Sequence, residues 1–483
     1  MELRLGPRRR SPRLLALVGD GADLISTLPE DLLLLVLARL GCAAAAARTG
    51  VLSRRWRGLW ARLRRVVFND VALHSLEAAL GCIPPPPPAV SLLRIRLPMP
   101  RGRVPKKQLV DTNRVNSLLR AAARLDPEEF FLAFPWDLFQ AHGLRLLLDL
   151  PCFHRATSIE VELDLCCTIR CVPAGGEFSA LERLSLCSCT ADLDALLSCC
   201  PLLRTLRLTD VRFHDDVMSV NSPLLQELIV VHGRFVDHVN IVAPMLTQLT
   251  MFFEIFHTHS ISILAPMMEK FSWGCYLYGN QATFGVWILR KLSLNTAEGQ
   301  GQLSSLHVNA SPSTNFYGET DNLEQQIVKH MIVDFSVLEL HLTTKEHVYG
   351  AFVVHLLGIN RIHCVMQRLK VNLQRPEENE EGCLPHCRCD SPNWKSQTIS
   401  LTSLEEVEIT GFDGEDHEFD LLKLILRCAP ILKRIILKLS QEASESNDRC
   451  AKIYNILRVH SSVECSIYLS SGLIHGSQNC TLT

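Results

Sequence analysis

The sequence predicts an α/β chain: an N-terminal block of three helices, then a solenoid of parallel strands joined by helical or irregular returns. Two observations carry this. A Leu-x-x-Leu-x-Leu pattern recurs with a period near 22, and the segment before it places apolar residues at helical spacing. The triplets are Leu181/Leu184/Leu186, Leu203/Leu206/Leu208, Leu225/Leu228/Val230, Leu246/Leu249/Met251, Met268/Phe271/Trp273 and Leu289/Leu292/Leu294. Their middle members are 22, 22, 21, 22 and 21 residues apart, a phase that a β-sandwich would not hold. Leu163 and Leu165 extend the series upstream. Cys200-Pro201, Ser222-Pro223, Ala243-Pro244 and Ala265-Pro266 precede four of the triplets, where a missing amide donor is tolerated. Side chains alternate on a strand, so each Leu-x-Leu pair points one way. One repeat cannot bury that pair, but stacked repeats can. Leu92/Ile95/Leu97, Phe335/Leu338/Leu340, Met366/Leu369/Val371, Leu404/Val407/Ile409 and Leu432/Ile435/Leu437 carry the triplet at irregular spacings. They fit repeats with longer returns.

Composition sets the outer bounds. A content of 47% hydrophobic and 21% charged residues excludes global disorder. A net charge of -2 gives no reason to expect nucleic acid or a membrane surface as partner. No run reaches the ~18 apolar residues of a membrane helix. Arginines precede Leu14 to Val18, but that stretch is too short for a secretory signal core. Nineteen cysteines, an odd number without an export signal, predict reduced thiols in the nucleus or cytoplasm. Pairs such as Cys166-Cys167 and Cys199-Cys200 read as small buried hydrophobes.

The chain divides into a flexible tail (1–22), the helical block (23–68), a proline-rich linker (69–89) holding Pro84 to Pro88, and the repeats (90–375). An acidic, cysteine-containing loop (376–395), a strand–helix–strand region (396–470) and a tail (471–483) follow. In the helical block Thr27 is placed to cap a helix, with Pro29 in its first turn and Glu30 completing a capping box. The helix runs to Leu40 and stops at Gly41. Leu28, Leu32, Val36 and Leu40 form one apolar row, and Leu33 and Leu37 form another. A helix apolar on more than one face is buried on more than one face. So small a block cannot do that alone, which predicts a partner protein over one face. Val51, Leu52, Trp56, Leu59, Trp60 and Leu63 predict a further helix with arginines between them. Those aromatics are interleaved as a core stripe, not as a platform for stacking bases.

No catalytic triad, P-loop or dinucleotide fingerprint is present, and Gly175-Gly176 reads as a turn. His257 and His259 share a strand face without a third ligand nearby in sequence. Cys383, His386, Cys387 and Cys389 are zinc-ligand types, yet they come from one short segment at tight spacing. The expectation is therefore no metal, no cofactor and no disulfide. Phe419, Leu422, Ile425 and Leu426 predict an apolar helix face packed at the end of the repeats.

Leu28-Pro29-Glu30-Asp31-Leu32 through Leu40, followed by Val51-Leu52-Ser53-Arg54-Arg55-Trp56-Arg57-Gly58-Leu59-Trp60, resembles a plant-type F-box. The run Ala43 to Ala47 departs from that pattern. The 22-residue repeats resemble the leucine-rich repeats of F-box/LRR proteins. Ser403 to Phe412 with Leu421 to Leu432 is similar to the FBD region that ends many of them. The resemblance implies a non-enzymatic substrate receptor of a Skp–cullin–F-box ubiquitin ligase, binding the Skp adaptor and, through it, cullin. By motif position, Leu28, Pro29, Leu32, Val36, Val51 and Trp56 would face or support the adaptor. The repeats would hold an unidentified target protein on their outward strand residues. Among these are Arg183, Thr205, Arg207, Ile229, Thr250, Phe252, Lys270 and Lys291. One alternative is a leucine-rich-repeat protein-binding scaffold outside ubiquitin ligation. Another is a zinc or thiol enzyme centred on Cys383 to Cys389, which would need bound metal or a low-pKa cysteine.

Overall fold

The computed structural model describes residues 28–84, 89–98, 112–134, 146–163, 167–171, 176–234, 236–254, 260–277, 282–296, 304–313, 323–344, 346–375, 383, 387, 389, 392–440, 447–460, 462–469 and 472–476. Several expectations therefore lie outside the described residues: the tail 1–22, the Thr27 cap, Pro85 to Pro88, Leu165, Gly175, His257, His259, His386 and most of 376–395.

The N-terminal block opens with helix α1 (Glu30–Ala38), whose N-cap is Pro29 and which makes no side-chain cap bond. Glu30 instead pairs with Arg62. Gly41 ends the segment in the left-handed conformation, at φ 68. A short helix α2 (Ala43–Arg48) follows. The predicted third helix is replaced by 3-10 turns at Thr49–Val51, Arg54–Trp56 and Leu59–Arg62. Gly58, at φ 76, divides the last two, and a left-handed residue there stops an α-helix from propagating.

Strand β1 (Arg65–Asn69) then begins the main sheet, pairing in parallel with β2 (Leu92–Arg96). Between them lies helix α3 (Leu73–Gly81). The segment expected to be a proline spacer therefore contains a helical return, and the N-terminal block is joined directly to the repeats. Its residues lie in one continuous core with theirs.

Each later turn of chain adds a strand: β3 (Glu129–Ala133), β5 (Ser158–Glu162), β7 (Arg183–Cys187), β9 (Thr205–Thr209), β12 (Glu227–Arg234), β14 (Gln248–Glu254) and β16 (Lys270–Tyr276). Each pairs in parallel with the strand before it in this series, β3 with β2. The register is strict: Leu184, Leu206, Leu228, Leu249 and Phe271 are level, as are Leu186, Leu208, Val230, Met251 and Trp273. All ten are buried. The first members of three triplets, Leu203, Leu246 and Met268, each close a turn whose second residue is the recurring proline. Leu203 N–H donates to Cys200 C=O at 3.3 Å, and Leu246 N–H to Ala243 C=O at 3.1 Å.

Upstream, the expected phase is displaced. The inward pair of β5 is Ile159 and Val161, not Leu163 and Leu165, and that of β2 is Leu93 and Ile95. Val90 and Ala156, both fully buried, stand in the first triplet position there. Leu97 is also buried, which is why the run Leu92 to Leu97 admits two phases.

Returns build a second layer. Helix α4 (Thr112–Ala123) leads to a parallel four-stranded sheet of β4 (Leu146–Leu150), β6 (Cys167–Cys171), β8 (Thr190–Ala191) and β10 (Arg212–Phe213). Buried Asn116 of α4 closes the free edge of β4. It accepts from the Asp149 amide at 3.0 Å and donates to the Leu147 carbonyl at 3.1 Å. Helix α5 (Leu193–Ser198) sits on the next outer sheet, β11 (Val217–Asn221), β13 (His238–Val242) and β15 (Ser260–Leu264).

The sixth triplet keeps its 21-residue phase and reverses direction. Residues 277–286 are too few for a crossover and hold β17 (Thr283–Phe284) with a two-residue turn at Gly285-Val286, Gly285 at φ 55. Strand β18 (Trp287–Thr296) consequently runs antiparallel to β16 and to β19 (Ser304–Pro312). Parallel growth then resumes through β20 (Val337–Thr343), β21 (Arg368–Gln374), β22 (Glu406–Phe412), β23 (Arg434–Leu439) and β24 (Glu464–Leu469). Here the irregular triplets from Leu338 to Leu437 fall in register as read. The returns are α6 (Leu323–His330), α7 (Gly350–Gly358), α8 (Asn360–His363), α9 (Asp416–Cys428) and α10 (Asn447–Arg458). Antiparallel β25 (Gly472–Gly476) covers the last edge.

Helix α9 buries Phe419, Leu422, Ile425 and Leu426. Its buried Glu418 accepts from the amides of Asp413, Gly414 and Glu415 at 2.9, 2.7 and 3.1 Å. The Tyr349 hydroxyl and the Arg375 guanidinium also donate to it, at 3.2 and 3.3 Å. Burial pushes this carboxyl above its ordinary range, against the pull of those donors. No helix among the described residues is long and apolar enough to cross a membrane.

Candidate functional site

Three groups of side chains stand out from the repeat scaffold. The first is the N-terminal apolar face. Helix α1 turns Leu33 and Leu37 into the core, where Trp56, Leu59, Trp60 and Ala61 are also buried. The Arg55 guanidinium donates to the Leu28 carbonyl, tying the helix start to the 3-10 turn. Among the exposed residues are six large apolar ones: Leu32, Leu35, Val36, Leu40, Val51 and Leu52 are between 40% and 87% exposed. Large apolar residues left exposed on so small a block mark an interaction site. Of the six residues assigned to the adaptor, Pro29, Leu32, Val36 and Val51 are exposed and Leu28 is half-buried. Trp56, 7% exposed, supports that face from beneath. Leu35, Leu40 and Leu52 belong to the face as well. Their signal was the same apolar run, one helical step aside.

The second group is the outward face of the main sheet. Arg183, Thr205, Glu227, Gln248 and Lys270 are level on successive strands. Ser185, Arg207, Ile229, Thr250 and Ser272 form the next row. The reversal at β18 corrects the expected place of Lys291. It lies opposite Tyr276 rather than Lys270, while Asn295 meets Ser272 at 2.7 Å and Ser293 is buried opposite Gly274. Lys291 Nζ then sits 5.1 Å from the Tyr276 ring centre and 5.9 Å from that of Phe252. Phe252 lies over Gly274, where any Cβ would come within 2.5 Å of the ring.

Further along the same face, Glu339 is flanked by His341 at 3.1 Å and His307 at 3.6 Å, with Asn372 donating to it at 3.0 Å. Burial lowers the His307 pKa, against the pull of Glu339. At the N-terminal end a cavity of roughly 720 Å³ opens over β1 to β3, lined by Arg65, Arg94, Arg96, Phe134 and Glu162. The Arg94 guanidinium lies 4.0 Å from the Phe131 ring centre. Sequence reading missed this basic cleft, although the outward alternation of Arg94 and Arg96 was its signal. It also missed an exposed apolar stripe in the turns, Leu202, Leu224, Met245 and Met267, each directly following a repeat proline.

The third group is a cluster of thiols and an imidazole. The expectation that all donors near Cys383 come from one segment is overturned. His347, from the turn after β20, joins Cys383, Cys387 and Cys389, and their four donor atoms lie within 4.8 Å of one another. His347 and Cys389 are buried, and the other two are half-buried. Burial, then contact with Cys389, pushes the Cys383 thiol up to about 12. Other thiols are raised by burial alone or chiefly by it, Cys200 and Cys275 to about 12 and Cys465 to about 11. Cys200, Cys275 and Cys465 are thereby kept protonated and act as small hydrophobes, not nucleophiles.

Residues 115–271 match the family model described as FBD-associated F-box protein At5g56370, LRR repeats, and residues 400–437 match the FBD model. No curated protein and no solved structure matches the chain.

Proposed function

We propose, from the premise that the chain is an F-box/LRR protein with an FBD C-terminal region, that it is the substrate-recognition subunit of a Skp–cullin–F-box ubiquitin ligase. The observation that carries this reading is the divided surface of α1. Leu33 and Leu37 are buried in the core, while Leu32, Leu35, Val36, Leu40, Val51 and Leu52 are exposed. That face is where the adaptor docks, and cullin follows through the adaptor.

The repeats form a solenoid whose strand face holds a target protein. The mixed ladder of Arg183, Thr205, Arg207, Ile229, Thr250 and Lys270, with the Phe252–Tyr276–Lys291 cluster beside it, offers charged, apolar and aromatic contacts together. The receptor performs no bond chemistry. It works inside the cell by raising the concentration of target next to the catalytic subunits.

The test is adaptor capture by purified chains carrying Leu32→Asp or Val51→Asp. Each exposed side chain is worth ~1.5–3 kcal/mol once covered, so affinity should fall roughly 10- to 100-fold with the repeats still folded. Undiminished binding by both variants would leave the scaffold reading, outside ubiquitin ligation, in its place. A second arm uses Arg207→Glu with Lys270→Glu, which should reduce target recovery and spare the adaptor. Unchanged recovery, together with a loss in Leu202→Asp/Met245→Asp, would move the target to the turn stripe.

A further inference from the structure

We infer that His347, Cys383, Cys387 and Cys389 form a structural zinc site of the Cys3His type, fastening the excursion between β21 and β22 to the turn before α7. All four donor atoms lie within 4.8 Å of one another, and two of their separations are short. Cys383 Sγ and Cys389 Sγ are 3.6 Å apart, and Cys387 Sγ lies 3.3 Å from His347 Nδ1. A tetrahedral ion bound at ~2.3 Å to sulfur and ~2.0–2.1 Å to nitrogen has edges of about 3.4–3.8 Å, so both separations are close to those of a filled site. The donors come from two segments, with a turn following a strand supplying the imidazole and the cysteine run supplying the thiols.

Three thiolates and an imidazole select a soft or borderline ion such as zinc over magnesium or calcium. All four positions of the tetrahedron are taken by protein, which leaves none for a reacting water. The role is therefore to hold structure, not to catalyse.

The location explains the need. The excursion spans residues 375–405 between two adjacent strands, far more than a strand-to-strand return requires. Its later half is seated by Trp394, whose ring covers Gly350 at the start of α7. The zinc site would seat its earlier half only three residues away, at His347. The two anchors together fold the excursion onto the return that precedes it, next to the start of the FBD region.

The full chain, made with zinc in the medium and purified under reducing conditions, should carry one zinc per chain. X-ray absorption at the zinc edge should show three sulfurs at ~2.3 Å and one nitrogen at ~2.0 Å. Cobalt substitution should give the intense visible bands of a tetrahedral thiolate site. Cys387→Ser and Cys389→Ser should each lose the metal. His347→Cys, which keeps four donors, should retain it with an all-sulfur shell, and this separates ligation from a general folding defect. The inference fails if the reduced wild-type chain binds neither zinc nor tetrahedral cobalt. It fails equally if Cys387→Ser/Cys389→Ser keeps its zinc, or if Cys383 and Cys389 are found joined as a disulfide in the chain as made by its own cells.

Discussion

Leu32 and Leu33 are neighbours in the chain, yet one is 40% exposed and the other fully buried. Leu33→Ala should cost about 2–5 kcal/mol, the cost of a cavity under α1, whereas Leu32→Ala should change stability by no more than about 0.5 kcal/mol. Urea melts of both variants measure the difference, and adaptor affinity should show the converse ranking per unit of stability lost. His330 tests a different property. It lies against Trp273, with Nδ1 2.7 Å from the Gln326 carbonyl and Nε2 buried without a hydrogen-bond partner. Burial lowers its pKa to about 4. The folded state thus prefers the neutral ring, and the associated stability is present above the unfolded value near 6.5 and is lost as pH falls toward 4. The full effect is on the order of 3 kcal/mol. Melting temperatures at pH 7 and 4.5 should converge in His330→Leu relative to wild type.

Among the elements, helix α7 depends on the absence of a side chain. A Cβ at Gly350 would lie 2.3 Å from the Trp394 ring, so Gly350→Ala must displace either the helix or the tryptophan. The expected cost is about 1–3 kcal/mol. If the tryptophan moves, limited proteolysis should cut within 376–395 faster than in wild type. Strands were readable from sequence wherever an inward pair stood alone, as in Leu206/Leu208 or Leu369/Val371. They were misread where apolar residues occupied both candidate phases, as at Leu92 to Leu97, or where the return varied in length, as before Ile159. The third N-terminal helix was misread because the spacing of Trp56, Leu59 and Trp60 fits an α-helix, which extended Ser53 and Arg57 and left-handed Gly58 break. The Cys383 cluster was seen from one side only. His347 is 36 residues away, and no local spacing announces a donor that tertiary folding delivers.

Across the whole molecule, the period of the repeats was plain in the sequence, but the direction of each strand was not. A 21-residue step from Trp273 to Leu294 satisfies the pattern whether the chain crosses over or doubles back. The strands that double back set the order in which the sheet can assemble. Every parallel pairing joins residues at least 20 positions apart, as Gly233 to Phe253, whereas the β18–β19 hairpin closes with Thr296 and Ser304, eight positions apart. Shorter loops close at lower entropic cost and earlier. The β17–β18 and β24–β25 turns are shorter still but pair only two and four residues, whereas β18–β19 pairs nine. That hairpin is then a seed in the middle of the chain, from which parallel strands are recruited toward both ends. Leu292→Ala or Val308→Ala should slow folding with φ values near 0.5–0.8, while Val66→Ala in β1 and Ile435→Ala in β23 should act mainly by speeding unfolding. Growth from such a seed reaches β1 last on its side. The N-terminal apolar face would be completed only once the outward strand rows are in place, so under the proposed function a half-folded chain would have nothing to offer an adaptor.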